Sequence, residues 1–244
     1  MYSIDIVIPT YRNSTLIEEC IKSLSTVSLP NCIEKIWIIE NGEYNKVDLI
    51  IDKYSQKLPL KYCYLAEGNA SLARNKGVEL SNSDVIIFFD NDVTFEENTL
   101  VSYVKAIEKN GDRNFYGGSL APKYDTPPES WMLDFLPPSA KGFDLGDNEI
   151  EIDKPRFLGG NFAIFRKHIL DHDGYDINGA AGYNGGAVGE ETRLQRKLIK
   201  KNIKGYYIPS ALVHHYVPPE NCDTKWLLKR AERYGKAHVI DTRN

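Results

Sequence analysis

Val85-Ile86-Ile87-Phe88-Phe89-Asp90-Asn91-Asp92-Val93-Thr94 joins five consecutive apolar residues to a polar triplet carrying two carboxylates. A run of five that opens with β-branched residues is too short for a helix. It suits a strand buried on both faces, as at the centre of a parallel sheet. In open α/β sheets, ligands bind beyond the carboxyl ends of the strands. Asp90-Asn91-Asp92 stands at such an end, and its paired hard oxygen ligands suit Mg²⁺ or Mn²⁺. The same triplet would also serve as a loop whose carboxylates cap a helix starting near Glu96. This stretch alone leaves both open.

Three strand patterns precede it. Ile4-Asp5-Ile6-Val7-Ile8 is closed by Pro9, Ile36-Trp37-Ile38-Ile39 by Glu40-Asn41-Gly42, and Tyr62-Cys63-Tyr64-Leu65 is the third. Helical patterns separate them. Thr15-x-x-Glu18 reads as a capping box, with Leu16, Ile17, Cys20, Ile21 and Leu24 as the buried face behind it. Residues 47–54 and 72–80 suit two further helices. Strict alternation of strand and helix implies a parallel sheet with helices on its faces. The strand ends Thr10-Tyr11-Arg12, Glu40-Asn41-Gly42, Glu67-Gly68-Asn69 and Asp90-Asn91-Asp92 then share one edge, which predicts a binding site there.

The second half is less regular. Residues 100–107 read as a helix and 115–120 as a strand. Residues 122–155 are rich in Pro, Gly and Asp, with Trp131, Phe135 and Phe143 among them. Residues 157–165 read as a strand interrupted by Gly159-Gly160-Asn161, which suggests a bulge or a close approach to a ligand. Residues 174–189 hold six glycines and read as a flexible loop able to order over a bound donor. A helix over 190–201, short strands over 206–208 and 211–215, and a basic amphipathic helix over 224–239 complete the chain.

A hydrophobic fraction of 42% permits a sizeable core. A net charge of −4 argues against a nucleic-acid partner or a broad membrane footprint. Cys20, Cys32, Cys63 and Cys222 form no Cys-x-x-Cys pair, so neither a zinc site nor a disulfide framework is expected. A reducing, cytoplasmic setting follows. No apolar run approaches the roughly 18–20 residues that span a bilayer, and Met1-Tyr2-Ser3 leads into strand-like sequence rather than a signal peptide. Peripheral contact with the inner membrane face through the basic helix remains open.

Several motifs resemble the family-2 glycosyltransferases, inverting enzymes of GT-A fold. Val7-Ile8-Pro9-Thr10-Tyr11-Arg12-Asn13 looks like their opening strand and turn, and Glu40-Asn41-Gly42 like their Asp-x-Gly element. Ala73-Arg74-Asn75-Lys76-Gly77 is similar to their Ala-Arg-Asn-x-Gly helix, and Asp90-Asn91-Asp92 to the metal-binding Asp-x-Asp. Gly160-Asn161-Phe162 resembles the acceptor-side strand, Gly189-Glu190-Glu191 the Gly-Glu-Asp element, and His215-Tyr216-Val217-Pro218-Pro219 the His-x-x-Pro-Pro segment. The likeness covers nearly the whole chain in family order. It implies an α/β fold of GT-A type: a Rossmann-like, mostly parallel central sheet flanked by helices, with a smaller acceptor-side mixed sheet. One domain over 1–244 would comprise a nucleotide-binding half, 1–94, and an acceptor-binding half, 95–244.

The resemblance also implies roles. Asp92 would be a direct ligand of Mn²⁺ or Mg²⁺, with His215 as a further ligand. Pro9, Thr10, Tyr11, Arg12, Glu40, Asn41, Arg74, Asn75, Asp90, Asn91, Gly160 and Asn161 would bind substrate. Glu191 would be the catalytic base and Glu190 would hold a donor or acceptor hydroxyl. Glu191 departs from the family, which usually has Asp there, and Glu40 stands where Asp is commoner. The donor would be a nucleotide-sugar, in first place a UDP-sugar. The acceptor would be a glycan, lipid-linked or other hydroxyl in polysaccharide or glycoconjugate assembly.

Residue chemistry allows other assignments. Glu40 can accept from a uracil or guanine ring N–H, or pair with Arg12 or Arg74. Arg74 can reach base or diphosphate, or simply pair with an acid. Strand alternation puts His214 and His215 on opposite faces, so one at most faces a metal. Glu190 and Glu191 in a first helical turn also favour the helix dipole by roughly 0.3–1 kcal/mol. A haloacid-dehalogenase-like phosphatase would need its Asp-x-Asp on the first strand, whereas three strands precede this one. A sugar-phosphate nucleotidyltransferase would want a Gly-rich basic loop where Tyr11-Arg12-Asn13-Ser14 stands. A non-catalytic nucleotide- or glycan-binding module also stays open.

Overall fold

A computed structural model describes residues 1–177 and 189–243. The first half runs β1 (Ile4–Thr10), α1 (Ser14–Leu24), β2 (Ile33–Asn41), α2 (Val47–Tyr54), β3 (Leu60–Leu65), α3 (Ala70–Leu80) and β4 (Val85–Phe89). Its strands pair in parallel in the order β3-β2-β1-β4. Every residue of β1 and β4 is buried. Cover on both faces is what turns a strand into a near-continuous apolar run.

Two local expectations change. β1 continues through Pro9 to Thr10. Its ladder with β4 ends at Val7, so the missing N–H of Pro9 removes no bond to β4. The cap of α1 is Asn13, not Thr15: the Asn13 side chain accepts from the Leu16 N–H at 3.1 Å. Thr15 lies inside the first turn, where its hydroxyl is out of place for capping. Ile17, Cys20, Ile21 and Leu24 form the buried face of the helix.

The second half runs β5 (Val93–Phe95), α4 (Thr99–Asn110), β6 (Asn114–Tyr124), α5 (Pro138–Lys141), β7 (Ile150–Ile152), β8 (Asn161–Phe165), α6 (Arg166–Leu170), α7 (Glu190–Lys200), β9 (Lys204–Val217) and α8 (Thr224–Arg243). A strand, not a helix, follows Asp90-Asn91-Asp92, and α4 starts after Asn98. The capped-loop alternative therefore fails. Gly159-Gly160 forms a turn before β8 rather than a bulge inside it. The two short strands expected near the C-terminus are one long strand, β9. The irregular stretch after Pro122 contains the end of β6, a 3₁₀ turn at Ser130–Asp134, α5 and β7. Of the glycine-rich loop expected over 174–189, Gly179, Gly182, Gly185 and Gly186 lie outside the described residues. Among the described residues no helix is long and apolar enough to cross a membrane.

The strands form one mixed sheet ordered β3-β2-β1-β4-β8-β6-β9-β5, with β7 on β9. β8 joins β4 antiparallel and carries the sheet into the second half. A flat sheet cannot have this order. β5 begins four residues after β4 ends, a reach of at most about 14 Å. Four strand spacings would separate the two by about 19 Å. The far side must curl back, and the register of β6 on β9 does slip between Gly118 and Leu120. The curl brings the end of β9 to the end of β4. One continuous apolar core lies beneath both halves.

Candidate active site

The predicted edge exists. Thr10 ends β1, Asn41 ends β2, and Asp90 follows β4 directly. The Thr10 carbonyl accepts from Asn41 Nδ2 at 2.8 Å, and its hydroxyl accepts from Asn91 Nδ2 at 2.9 Å. These bonds tie three strand ends together. A small cavity of about 150 Å³ opens there, lined by Pro9, Thr10, Tyr11, Asn41, Asn69 and Asp90 among others. Asn69 also caps α3, accepting from the Leu72 N–H at 3.0 Å.

Arg74 links this cavity to a larger one of about 460 Å³ and lines both. It is 5% exposed. Its Nη2 donates to Asp90 Oδ1 at 2.9 Å and its Nη1 to Glu190 Oε1 at 3.2 Å. Burial alone would lower its pKa, but the two carboxylates outweigh burial and raise it. A buried cation between a buried acid, Glu190, and a half-buried one, Asp90, is a rigid arrangement, since removing Glu190 leaves Arg74 with one partner in a desolvated site. Gly160 supplies the space: a Cβ there would sit 2.4 Å from Asp90 Oδ2. Glu191 lines the larger cavity beside Gly159. Burial, then the charge of Glu190, pushes its pKa up to about 7, with Arg74 offsetting only part.

The curl of the sheet supplies the remaining pair. Val93 is opposite His215 in the β5–β9 ladder, and Tyr216 N–H donates to the Asp92 carbonyl at 2.8 Å. His215 Nε2 stands 3.4 Å from Asp92 Oδ2. Burial pulls the imidazole pKa down, but the Asp92 carboxylate outweighs it, so the net shift is upward. Asp92 Oδ1 is buried without a hydrogen-bond partner. His214 points elsewhere, its Nε2 2.6 Å from Glu96 Oε1. The alternation rule for the His pair thus holds. Among the described residues no group of three or more His, Cys, Asp or Glu side chains is arranged to hold a metal ion.

Several other expected ligands have partners within the protein. Glu40 is 1% exposed, and its carboxylate accepts from the Tyr62 hydroxyl and the Asn45 amide. It reaches neither cavity, nor Arg12, nor Arg74. Arg12 is exposed, pairs with Glu43 at 3.2 Å and lies over the Tyr11 ring. Asn75 clamps Tyr175 through two backbone bonds of 2.8 Å each. Asn161 is a buried strut, accepting from Tyr103 Oη and donating to the carbonyls of Ser119 and Ala211.

The model of glycosyl transferase family 2 matches residues 5–174. The chain belongs to this family. ExoM of Rhizobium meliloti, a succinoglycan biosynthesis protein, is 26% identical over 96% of this chain and 74% of its own length. An uncharacterized glycosyltransferase of Mycoplasma pneumoniae is 33% identical over 43% of this chain and 37% of its own. Among solved structures, a mannosyltransferase from Pyrobaculum calidifontis in complex with GDP-Man and Mn²⁺ superposes with a TM-score of 0.72 at 14% identity, covering 100% of this chain and 65% of that one. Staphylococcus aureus TarS in complex with UDP gives 0.64 at 15% identity, covering 90% and 62%. The chain therefore spans only part of these proteins. The shared architecture is the GT-A fold, an α/β fold with a mixed central sheet flanked by helices.

Some residues of this family-2 site had no motif to announce them. Tyr175 is fully buried beneath Arg74, 5.5 Å from its guanidinium. Gln195 accepts from the amides of Arg156 and Phe157 and donates to the Phe157 carbonyl, fixing the approach to Gly159-Gly160. Trp226, Arg230 and Tyr234 of α8 line the larger cavity; of these, Trp226 and Arg230 belong to the stretch Trp226-Leu227-Leu228-Lys229-Arg230, which resembles a segment that follows the His-x-x-Pro-Pro element in the family. The Asn69 cap also had a legible signal, a capping residue shortly ahead of the helical pattern over 72–80; the helix itself starts at Ala70, directly after it.

Proposed function

We propose that this protein is a metal-dependent, inverting glycosyltransferase that moves a sugar from a nucleotide-sugar to a hydroxyl acceptor in polysaccharide assembly. The observation that carries this is the unpartnered, buried Asp92 Oδ1 in the same cavity as Glu191. A buried carboxylate oxygen without a donor is costly unless something cationic completes it. Asp92 and His215 are two oxygen and nitrogen donors suited to Mn²⁺ or Mg²⁺, and the diphosphate and water would fill the other positions. A divalent cation held there supplies Lewis-acid neutralisation of the diphosphate charge.

The rest of the chemistry falls to the chain. The smaller cavity takes the nucleoside against Pro9, Thr10 and Asn41. Arg74 holds Asp90 and Glu190 still on either side of the junction. Glu191 accepts the proton of the acceptor hydroxyl as that oxygen bonds to the anomeric carbon. The bond to the diphosphate breaks on the opposite face, which inverts the centre. A carboxylate titrating near 7 is well placed for such a base. The TarS complex with UDP favours a UDP-sugar, and the mannosyltransferase complex makes GDP the comparison. The likeness to ExoM, a succinoglycan biosynthesis protein, supports a role in polysaccharide synthesis.

Thermal-shift measurements with UDP, GDP and dTDP, each with and without Mn²⁺, test this. A ligand at about 100 times its dissociation constant stabilises by roughly 2.7 kcal/mol. UDP with Mn²⁺ is expected to give such a shift. Silence from every nucleotide would sink the proposal.

A further inference from the structure

The chain carries a net charge of −4, yet over residues 224–236 of α8 Lys225, Lys229, Arg230, Arg233 and Lys236 stand with one acid, Glu232; Asp241 lies further along the helix. Leu227 and Trp226 seat this helix on a satellite cluster of Leu136, Ala140 and Val217. Trp226, Arg230 and Arg233 recur at i, i+4 and i+7, so they share one helix face. That face turns to the site. Trp226 and Arg230 line the 460 Å³ cavity that holds Asp92 and Glu191. Both also line a groove of about 400 Å³ along α8, together with Lys229, Arg233 and Lys236.

The charges in this groove are not balanced internally. Glu232 is taken by Lys236 at 2.8 Å. Among the described residues no acid pairs with Lys229, Arg230 or Arg233. Arg230 lies over Trp226 at 5.8 Å and Tyr234 at 5.3 Å, and its Nε is buried without a partner. Three cations beside a cavity whose inner wall is acidic create a steep local field. A neutral acceptor would leave it unused.

We infer that this groove binds a phosphate ester of the acceptor, so that the substrate is a phosphorylated glycan. Its anionic group lies on Lys229, Arg230 and Arg233 while its hydroxyl reaches inward to Glu191. The inference rests on the cavity being a transfer site. A lipid surface fits the groove less well. Leu228, 73% exposed, and Val239 project from the opposite side of the helix. An apolar surface would be met there.

Two soluble probes present the phosphate from different sources: a short-chain alkyl-diphosphate glycoside and a glycosylated polyol-phosphate oligomer. The neutral alkyl glycoside is the control. Binding is measured by calorimetry with UDP and Mn²⁺ saturating, for wild type and for the double variant Lys229→Glu, Arg233→Glu. At least one phosphate probe is expected to bind, with the neutral glycoside weaker by about tenfold or more and the double variant losing that advantage. The probe preferred identifies the source. Nucleotide-induced stabilisation of the variant stays at the wild-type level, which shows that its fold is intact. Equal binding of neutral and phosphate probes, or full binding by the double variant, overturns the inference. So does binding of phosphatidylglycerol vesicles through these two residues with neither probe bound. If the probes bind through Lys229 and Arg233 but no nucleotide stabilises either protein, the transfer reading fails and the anion groove stands.

Discussion

Glu191 combines two requirements that oppose each other. The burial that brings its pKa to about 7 also makes its ionised form unfavourable in the unliganded fold. As a base it must be ionised, so kcat/KM should rise with pH along a limb centred near 7. Glu191→Gln should lose transfer by about 10²–10⁴ while keeping nucleotide-induced stabilisation. The stability sign is also determined. Below the unfolded carboxyl pKa the group is neutral in both states and contributes nothing. Between that value and about 7 the unfolded chain ionises first, so stability falls as pH rises. Glu191→Gln escapes this, and should melt above wild type at pH 8 with the gap closing toward pH 4. A variant that melts lower at both pH values would remove the buried-base argument. Asp92→Asn, by contrast, should abolish the Mn²⁺-dependent part of the UDP shift, read in the same melts. Positions were legible in the sequence; side-chain directions were not. Glu40 and Asn41 are consecutive strand residues, so period-two geometry sends one to the cavity and the other away. A motif match marks both alike, and only packing shows that Tyr62 has claimed the first.

Among the elements, α3 sets the reach of Arg74. Gly77 is three residues further along, on the same face, and its Cβ position falls 2.4 Å from Val7 Cγ1 on β1. The helix therefore lies unusually close to the sheet. Gly77→Ala gains helix propensity but must push α3 off β1, so overpacking dominates and a net loss of about 1–3 kcal/mol is expected in urea unfolding. The shift would also draw Arg74 from Asp90 and weaken UDP binding. Unchanged stability would mean the helix can ride up freely. The start of α1 offers a cleaner comparison. Asn13→Ala should cost about 1 kcal/mol, whereas Thr15→Ala should be near neutral. The Thr15-x-x-Glu18 pattern was a plausible cap by spacing, but an N-cap must precede the first helical residue, and that residue is Ser14. Strand and helix existence followed from periodicity. Boundaries did not, because a cap depends on backbone angles that one residue on either side would satisfy equally well.

At the level of the molecule, the sequence order conceals a closure. The first 90 residues spell out a parallel sheet by themselves, which invites division into a nucleotide-binding half over 1–94 and an acceptor-binding half. The site contradicts independence of the two. Asp90, Asp92 and Arg74 come from the first half, and Glu190, Glu191 and His215 from the second. Arg74 and Asp92 are held by partners across the division. β4 is buried on every residue and its outer edge is covered by β8, so residues 1–94 alone would expose an apolar strand with unpaired amides. Such a fragment should aggregate, or lack a cooperative melt. In the whole chain both halves should unfold together, since one core spans them. Trp37 reports on the first half, Trp131 and Trp226 on the second. Fluorescence of a Trp37→Phe variant and of a Trp131→Phe, Trp226→Phe variant, each compared with far-UV circular dichroism in urea, should therefore give coincident transitions. Two separated midpoints would show that the halves hold themselves up, and that the Arg74–Glu190 pair forms only when two preformed units meet.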